Sequence, residues 1–227
     1  MSTDALRLVV FDLDGTLVDS LSTIQQSMAG AAVRRGLAAP DPARVREVVG
    51  LPLREAVGAV FDPAPESQWD DLAQAYKDAF WEIVGQGDHD EPLYPGVLDC
   101  LDALDRDGFL LGIATGKGRR GLDTTLNLHD LRARFVTLQT SDTGPGKPHP
   151  AMLRRAMAEA GVDAAATVMI GDTTFDIEMA KAAGVAAIGV SWGYHAVDGL
   201  RAVGADHIAT AFADLPPAID RLLGRAR

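Results

Sequence analysis

Five short apolar runs recur along the chain, at Arg7 to Phe11, Leu110 to Ala114, Phe135 to Gln139, Thr167 to Ile170 and Val185 to Val190. Turn residues follow each run, and after them apolar positions return at helical spacing. Strand, loop and helix in alternation require crossover connections, so the expected fold is α/β, a doubly wound parallel sheet with helices on both faces. The stretch from about Ser20 to Pro92 breaks that rhythm. It carries helical patterns at Ser20 to Arg35, Ala43 to Val49, Leu53 to Val60 and Glu66 to Val84, and no strand pattern. The economical division is an all-helical cap over residues 19–92, inserted after the first strand of a core formed by residues 1–18 and 93–227. A loop from Gly85 to Pro95, rich in Gly, Asp and Pro, returns the chain to that core.

In an open parallel sheet, ligands gather beyond the carboxyl ends of the strands, where neighbouring crossovers diverge. The first strand ends in Asp12-Leu13-Asp14-Gly15-Thr16 and the second in Thr115-Gly116-Lys117. Gly146-Lys147-Pro148 lies in the loop after the third, and Gly171-Asp172-Thr173-Thr174-Phe175-Asp176 follows the fourth. Two carboxylates one residue apart have no use at the end of a buried strand unless they have partners. Several carboxylates, a hydroxyl and an ammonium converging at one sheet edge read as a site for a metal and a phosphate.

Composition narrows the partners. Acidic residues outnumber basic ones 32 to 21, so the chain lacks the cationic footprint of a nucleic-acid binder. No window reaches the roughly 18 apolar residues of a membrane span, and Met1 to Leu6 has no long apolar stretch. A soluble, cytoplasmic protein is the expectation. Cys100 is the single cysteine, in an apparent helix from Val97 to Leu104, and reads as a core thiol. Oligomeric state, monomer or homodimer, is left open.

Each motif has a competitor. A calcium loop starting at Asp12 wants Gly at its sixth position and Glu at its twelfth, which are Leu17 and Thr23 here. Asp172 and Asp176 could be helix-capping residues, Thr115 a helix start, and Lys147 a solvated loop lysine. Gly116-x-Gly118-x-x-Gly121 with Asp142 downstream mimics a dinucleotide fingerprint, but it follows the second strand and leaves Asp12, Asp14 and Asp172 unexplained.

The ordered set Asp12-x-Asp14-Gly15-Thr16, Thr115, Lys147 and Gly171-Asp172-x-x-x-Asp176 resembles the four motifs of the haloacid dehalogenase superfamily. The likeness covers essentially the whole chain and is to its phosphatase branch with a C1-type helical cap, phosphoglycolate phosphatase-like. It implies a magnesium-dependent phosphomonoesterase acting on a small phosphorylated metabolite. On that basis Asp12 is the nucleophile that forms an aspartyl phosphate, because an anionic ester needs a cation to suppress repulsion during attack. Mg2+ is held by Asp12, the Asp14 main-chain carbonyl and Asp172, with Asp176 supporting the cluster. Asp14 protonates the leaving alkoxide and later activates water, its proton kept by carboxylate neighbours under a closed cap. Thr115, Gly116 and Lys147 bind the phosphoryl oxygens.

Two other readings stay open: a sugar phosphomutase of the beta-phosphoglucomutase kind, and a non-catalytic phosphate-binding or regulatory protein of the same fold. The second aspartate, Asp14, argues against a dehalogenase, whose halide needs no proton. For the substrate, phosphoglycolate leads. Arg54, in the cap segment Val49 to Glu55, is the nearby cation able to grip a second anionic group, with a surface role as its alternative. Trp192 and Tyr194 stand either at the entrance or in packing, and His149 and His195 read as structural.

Overall fold

The computed structural model describes residues 6–87 and 90–224. Six strands form one parallel sheet: β1 (Leu8–Phe11), β2 (Leu110–Thr115), β3 (Thr137–Thr140), β4 (Thr167–Gly171), β5 (Ala186–Val190) and β6 (His207–Ala209), in the order β3-β2-β1-β4-β5-β6. Among the described residues ten α-helices accompany them: α1 (Leu21–Arg35), α2 (Pro42–Val48), α3 (Leu53–Val60), α4 (Trp69–Gln86), α5 (Val97–Arg106), α6 (Arg119–Leu128), α7 (Ala151–Ala160), α8 (Thr174–Ala183), α9 (Val197–Ala202) and α10 (Leu215–Leu223). The expected doubly wound α/β sheet is present.

Alternation along the strands sorts the core into two faces. Val9, Phe11, Leu111, Ile113, Val168 and Ile170 meet Leu101 and Leu104 of α5, Leu122 and Leu126 of α6 and Ile219 of α10. Leu8, Val10 and Met169 face Met152 and Leu153 of α7 and Ile177 of α8. Because both faces are covered, the strands read as continuous apolar runs. Cys100 is buried in the first cluster, and burial pushes its thiol up to about 12, so it is an inert core group.

Helices α1–α4 intervene between β1 and β2 and hold an apolar cluster of their own, with Ile24, Met28, Ala31 and Ala32 of α1 against Leu72, Ala73 and Ala75 of α4. Those α1 positions recur at helical spacing and make one buried stripe. Gly36 closes α1 in the left-handed region, where its N–H reaches the carbonyls of Ala32 and Val33. Tyr194, from the loop after β5, is buried in this same cluster and joins the helical layer to the sheet.

Several element boundaries differ from the sequence expectation. The third strand starts at Thr137 rather than Phe135, since Phe135 packs in the core ahead of the ladder. The pattern from Glu66 opens as a 3-10 turn, Glu66–Gln68, before α4 begins, and α4 runs through Gly85 and Gln86 of the predicted return loop. Residues 88–89 of that loop lie outside the described residues, as do Met1 to Ala5 of the N-terminal stretch. Among the described residues, no helix is long and apolar enough to cross a membrane.

Candidate active site

Strand register brings the motifs to one edge. Phe11 pairs with Ile113 on one side and Ile170 on the other, so the residues that follow all three strands emerge level with each other. Order reverses at β1, between β2 and β4, which is where a doubly wound sheet opens a crevice.

At that edge, the carboxylates of Asp12, Asp172 and Asp176 each present an oxygen within 4.8 Å of the others, and all three are buried. Lys147 Nζ lies 2.7 Å from Asp12 Oδ1 and 2.6 Å from Asp176 Oδ1, as close ion pairs rather than aligned hydrogen bonds. Burial opposes the ammonium charge, but Asp12 and Asp176 outweigh it and hold Lys147 above the usual lysine range. The carboxyl of Asp12 is pushed well up, first by burial and then by Asp176 and Asp172, with Lys147 opposing. Asp172 is pushed up to about 7, again by burial first and then by Asp176. Its Oδ1 accepts from Thr16 Oγ1 at 2.8 Å and its Oδ2 from the Tyr194 N–H at 2.9 Å.

Three carboxylates against one ammonium leave two negative charges when all are ionised. Asp12 Oδ2 is buried with no hydrogen-bond partner, an arrangement that is costly unless something cationic or electrophilic meets it. Hard oxygen donors with a double negative excess fit a divalent cation, and the cluster suits one.

Local sequence explains the crowding. Gly15 has φ +83°, and a side chain there would run into the Asp172 carboxylate and the Tyr194 ring. Thr173 caps α8 in a capping box with Asp176, whose Oδ2 accepts from the Thr173 N–H at 3.0 Å and its hydroxyl at 2.7 Å. Asp176 thus uses one oxygen to start the helix and aims the other at Lys147. The capping reading and the cluster reading of this residue both hold.

Asp14 stands apart from the trio. Its Oδ1 accepts from Lys117 Nζ at 2.9 Å, and the same ammonium reaches Glu91 Oε1 at 2.8 Å. Thr125 Oγ1 donates to Glu91 Oε2 at 2.5 Å. The neighbour of Asp14 is therefore an ammonium, in place of the carboxylates expected from the sequence. Thr115 Oγ1 accepts from the Lys117 N–H at 3.1 Å, which leaves the hydroxyl proton for another acceptor. Asp12, Asp14, Thr115, Gly116 and Lys117 border one cavity of about 460 Å³ beneath the helical layer. Backbone carbonyls of Gly50 and Leu51 sit so near Gly116 that an added Cβ would lie 2.7 and 2.8 Å from them, so the helical layer is seated directly on this loop.

A sequence model of the haloacid dehalogenase-like hydrolases matches residues 9–190, most of the chain, including all four strand ends just described. The chain belongs to this family. The motif resemblance is borne out, and the protein is a haloacid dehalogenase-like hydrolase. It is 37% identical over 219 residues to the "Probable phosphatase IndB" of Dickeya dadantii strain 3937, covering 95% of this chain and 94% of that protein. To a "Phosphoglycolate phosphatase" of Vibrio parahaemolyticus it is 30% identical over 220 residues, covering 95% and 96%. Among solved structures, a predicted phosphatase from Clostridium acetobutylicum superposes with a TM-score of 0.86 at 25% identity, covering 96% of this chain and all of the other.

In this hydrolase, Asp12, Lys147, Asp172 and Asp176 come together, and Asp14, Thr115 and Gly116 border the adjoining cavity. Arg54 is placed differently. Its Nε donates to Asp70 at 3.0 Å, its guanidinium reaches Glu66 at 3.2 Å, and the cavity is bordered by Leu53 instead. Those two carboxylates occupy the fork that was expected to grip substrate. Trp192 packs on Phe212 and donates to the Thr16 carbonyl, which is a core role. Exposed His149 accepts the Ala151 N–H at the start of α7. His195 bridges the Thr174 N–H and the Glu47 carbonyl, tying α8 to the helical layer. Lys117 and Glu91 are the participants that sequence reasoning passed over. Lys117 carried a signal, an ammonium two residues beyond Thr115 at a strand end.

Proposed function

We propose that this hydrolase is a magnesium-dependent phosphomonoesterase that works through an aspartyl phosphate on Asp12, with residues 19–92 acting as a cap over a core of residues 1–18 and 93–227. The observation that carries the reading is the unpartnered, buried Asp12 Oδ2 beside a cavity that also meets Asp14 and Thr115. Lys147 holds the other Asp12 oxygen, so Oδ2 is the free nucleophilic atom.

Asp12, the Asp14 carbonyl and Asp172, with Asp176 in support, would hold magnesium, which would supply positive charge that keeps Asp12 ionised and offsets repulsion by the phosphoryl oxygens. Thr115 donates its remaining hydroxyl proton to one phosphoryl oxygen, and the Gly116 N–H and Lys147 add further positive character. Asp12 Oδ2 attacks phosphorus, and the ester oxygen departs with a proton from Asp14. Water then loses a proton to Asp14 and attacks the acyl phosphate, releasing inorganic phosphate. Asp14 enters the first transfer as the carboxylic acid, with its proton on the oxygen that Lys117 does not hold, and the second as the carboxylate; Lys117 orients it through Oδ1, while Glu91 anchors Lys117 from the segment that returns from the cap.

Phosphoglycolate, the substrate named for several relatives, is the reference compound. The test is phosphate release from simple esters with magnesium and with chelator. Activity that needs the cation and is lost in Asp12→Asn supports the reading; full activity in Asp12→Asn refutes it.

A further inference from the structure

The cavity above Asp12 and Asp14 is larger and less polar than a two-carbon acid phosphate requires. Its volume of about 460 Å³ falls in the range that encloses drug-sized organic ligands, roughly 300–1,000 Å³. Val45, Val49 and Leu53 line it from α2, α3 and the turn between them, and Tyr76, Phe80 and Trp81 line it from α4. All three aromatic residues belong to α4: Tyr76 and Phe80, four residues apart, share one side of the helix, and Trp81 stands about 100° round from Phe80. Phe80 and Trp81 meet edge to face with ring centroids 5.0 Å apart.

Three cations around the cavity are already paired with carboxylates. Lys117 is divided between Asp14 and Glu91, Arg119 pairs with Asp123, and Arg54 is held by Asp70 and Glu66. Arg120 sits over the Trp81 ring, its guanidinium carbon 3.7 Å from the centroid. Lys77, which also borders the cavity, is exposed. Lys117 Nζ also lies 5.4 Å from the Phe80 ring centroid, which places the aromatic wall directly beside the Asp14 carboxylate. A leaving alcohol protonated by Asp14 projects toward that wall.

From these positions we infer, resting on the phosphomonoesterase reading, that the substrate is a phosphate monoester whose alcohol carries a planar, largely apolar body. The phosphate lies on Asp12 and Thr115, and the body lies between Val49 and Leu53 on one side and Tyr76, Phe80 and Trp81 on the other. Burial of that body, with water released from apolar walls, provides the selectivity.

The test matches leaving-group reactivity by using alkanol esters. Turnover of 2-(1-naphthyl)ethyl phosphate, ethyl phosphate and phosphoglycolate is measured with magnesium, and calorimetry follows binding of 2-(1-naphthyl)ethylphosphonate, ethylphosphonate and phosphonoacetate. The naphthyl ester should exceed both others in kcat/KM by about ten-fold or more, and its phosphonate should bind correspondingly tighter. Trp81→Ala, with Trp81→Leu and a melting curve as checks on folding, should cut kcat/KM for the naphthyl ester several-fold more than for ethyl phosphate. Phosphoglycolate as the best substrate, or phosphonoacetate binding as tightly as the naphthyl phosphonate, overturns the inference while the phosphatase reading stands. No turnover of any ester, with the naphthyl preference in binding intact and lost in Trp81→Ala, keeps the ligand class and removes the phosphatase reading.

Discussion

Replacing Lys147 with Met tests the electrostatics of the acidic trio directly. In the folded chain its ammonium lies 2.7 Å from Asp12 and 2.6 Å from Asp176, and none of the three side chains is more than 1% exposed. Removing one partner from a buried pair costs about 3–5 kcal/mol, because the remaining charge is left in a poorly solvated site. For a chain of this size that is a melting-temperature loss of roughly 6–20 °C. Protonation limits the penalty. Lys147 opposes the upward pull of burial, Asp176 and Asp172 on Asp12, so without it Asp12 keeps a proton to still higher pH. An acid whose folded pKa lies above its unfolded value of about 3.9 loses folded-state stability as pH rises. In chelator, the gap between Lys147→Met and the native protein should therefore be wider at pH 8 than at pH 5, and saturating magnesium should narrow it. Paired thermal melts give the answer. A loss under about 3 °C in chelator at pH 8, or a gap that magnesium leaves unchanged, would refute the reasoning.

Other consequences are smaller in scope. Lys117→Met frees the Asp14 carboxylate, so kcat should fall by about 10²-fold with KM changed less; steady-state kinetics that leave kcat intact would remove Lys117 from the proton-transfer machinery. Gly15→Ala forces a side chain into the Asp172 carboxylate at a backbone angle of +83°, and should lower both melting temperature and calorimetric magnesium affinity. Burial lowers the imidazole pKa of His195 below its usual 6.5, with the hydrogen bond to the Glu47 carbonyl opposing. Its contribution is present above pH 6.5 and lost as pH falls below it, so melting temperature should drop less between pH 7 and pH 5 in His195→Gln than in the native chain. Equal drops would show that the cap bridge does not titrate.

The sheet was legible where physics made it simple. Strands β1, β2, β4 and β5 are buried on both faces and therefore read as unbroken apolar runs. Strand β6 escaped because His207–Ala209 is three residues long and lies at the sheet edge, too short for a periodic signal. Asp12, Thr115, Lys147 and Asp172 were readable because they follow strand ends, where their chemistry has no structural use. Glu91 was not. It lies in a stretch rich in Gly, Asp and Pro, where an acidic residue reads as solvated, yet it is 1% exposed and closes on Lys117 and Thr125. For Arg54 the two readings could not be separated from the sequence, since pairing with Glu66 and Asp70 depends on how α3 and α4 pack, which no local pattern encodes.

The central claim is that Asp12 carries the phosphoryl group between two half-reactions. Acid quenching of the native enzyme during turnover of a phosphate ester with magnesium, followed by peptide mapping, tests it most directly. The account predicts a phosphorylated peptide with the group on Asp12, absent in Asp12→Asn and accumulating when Asp14→Asn slows hydrolysis of the intermediate. Phosphoryl groups on another residue, or undiminished turnover in Asp12→Asn, would contradict it.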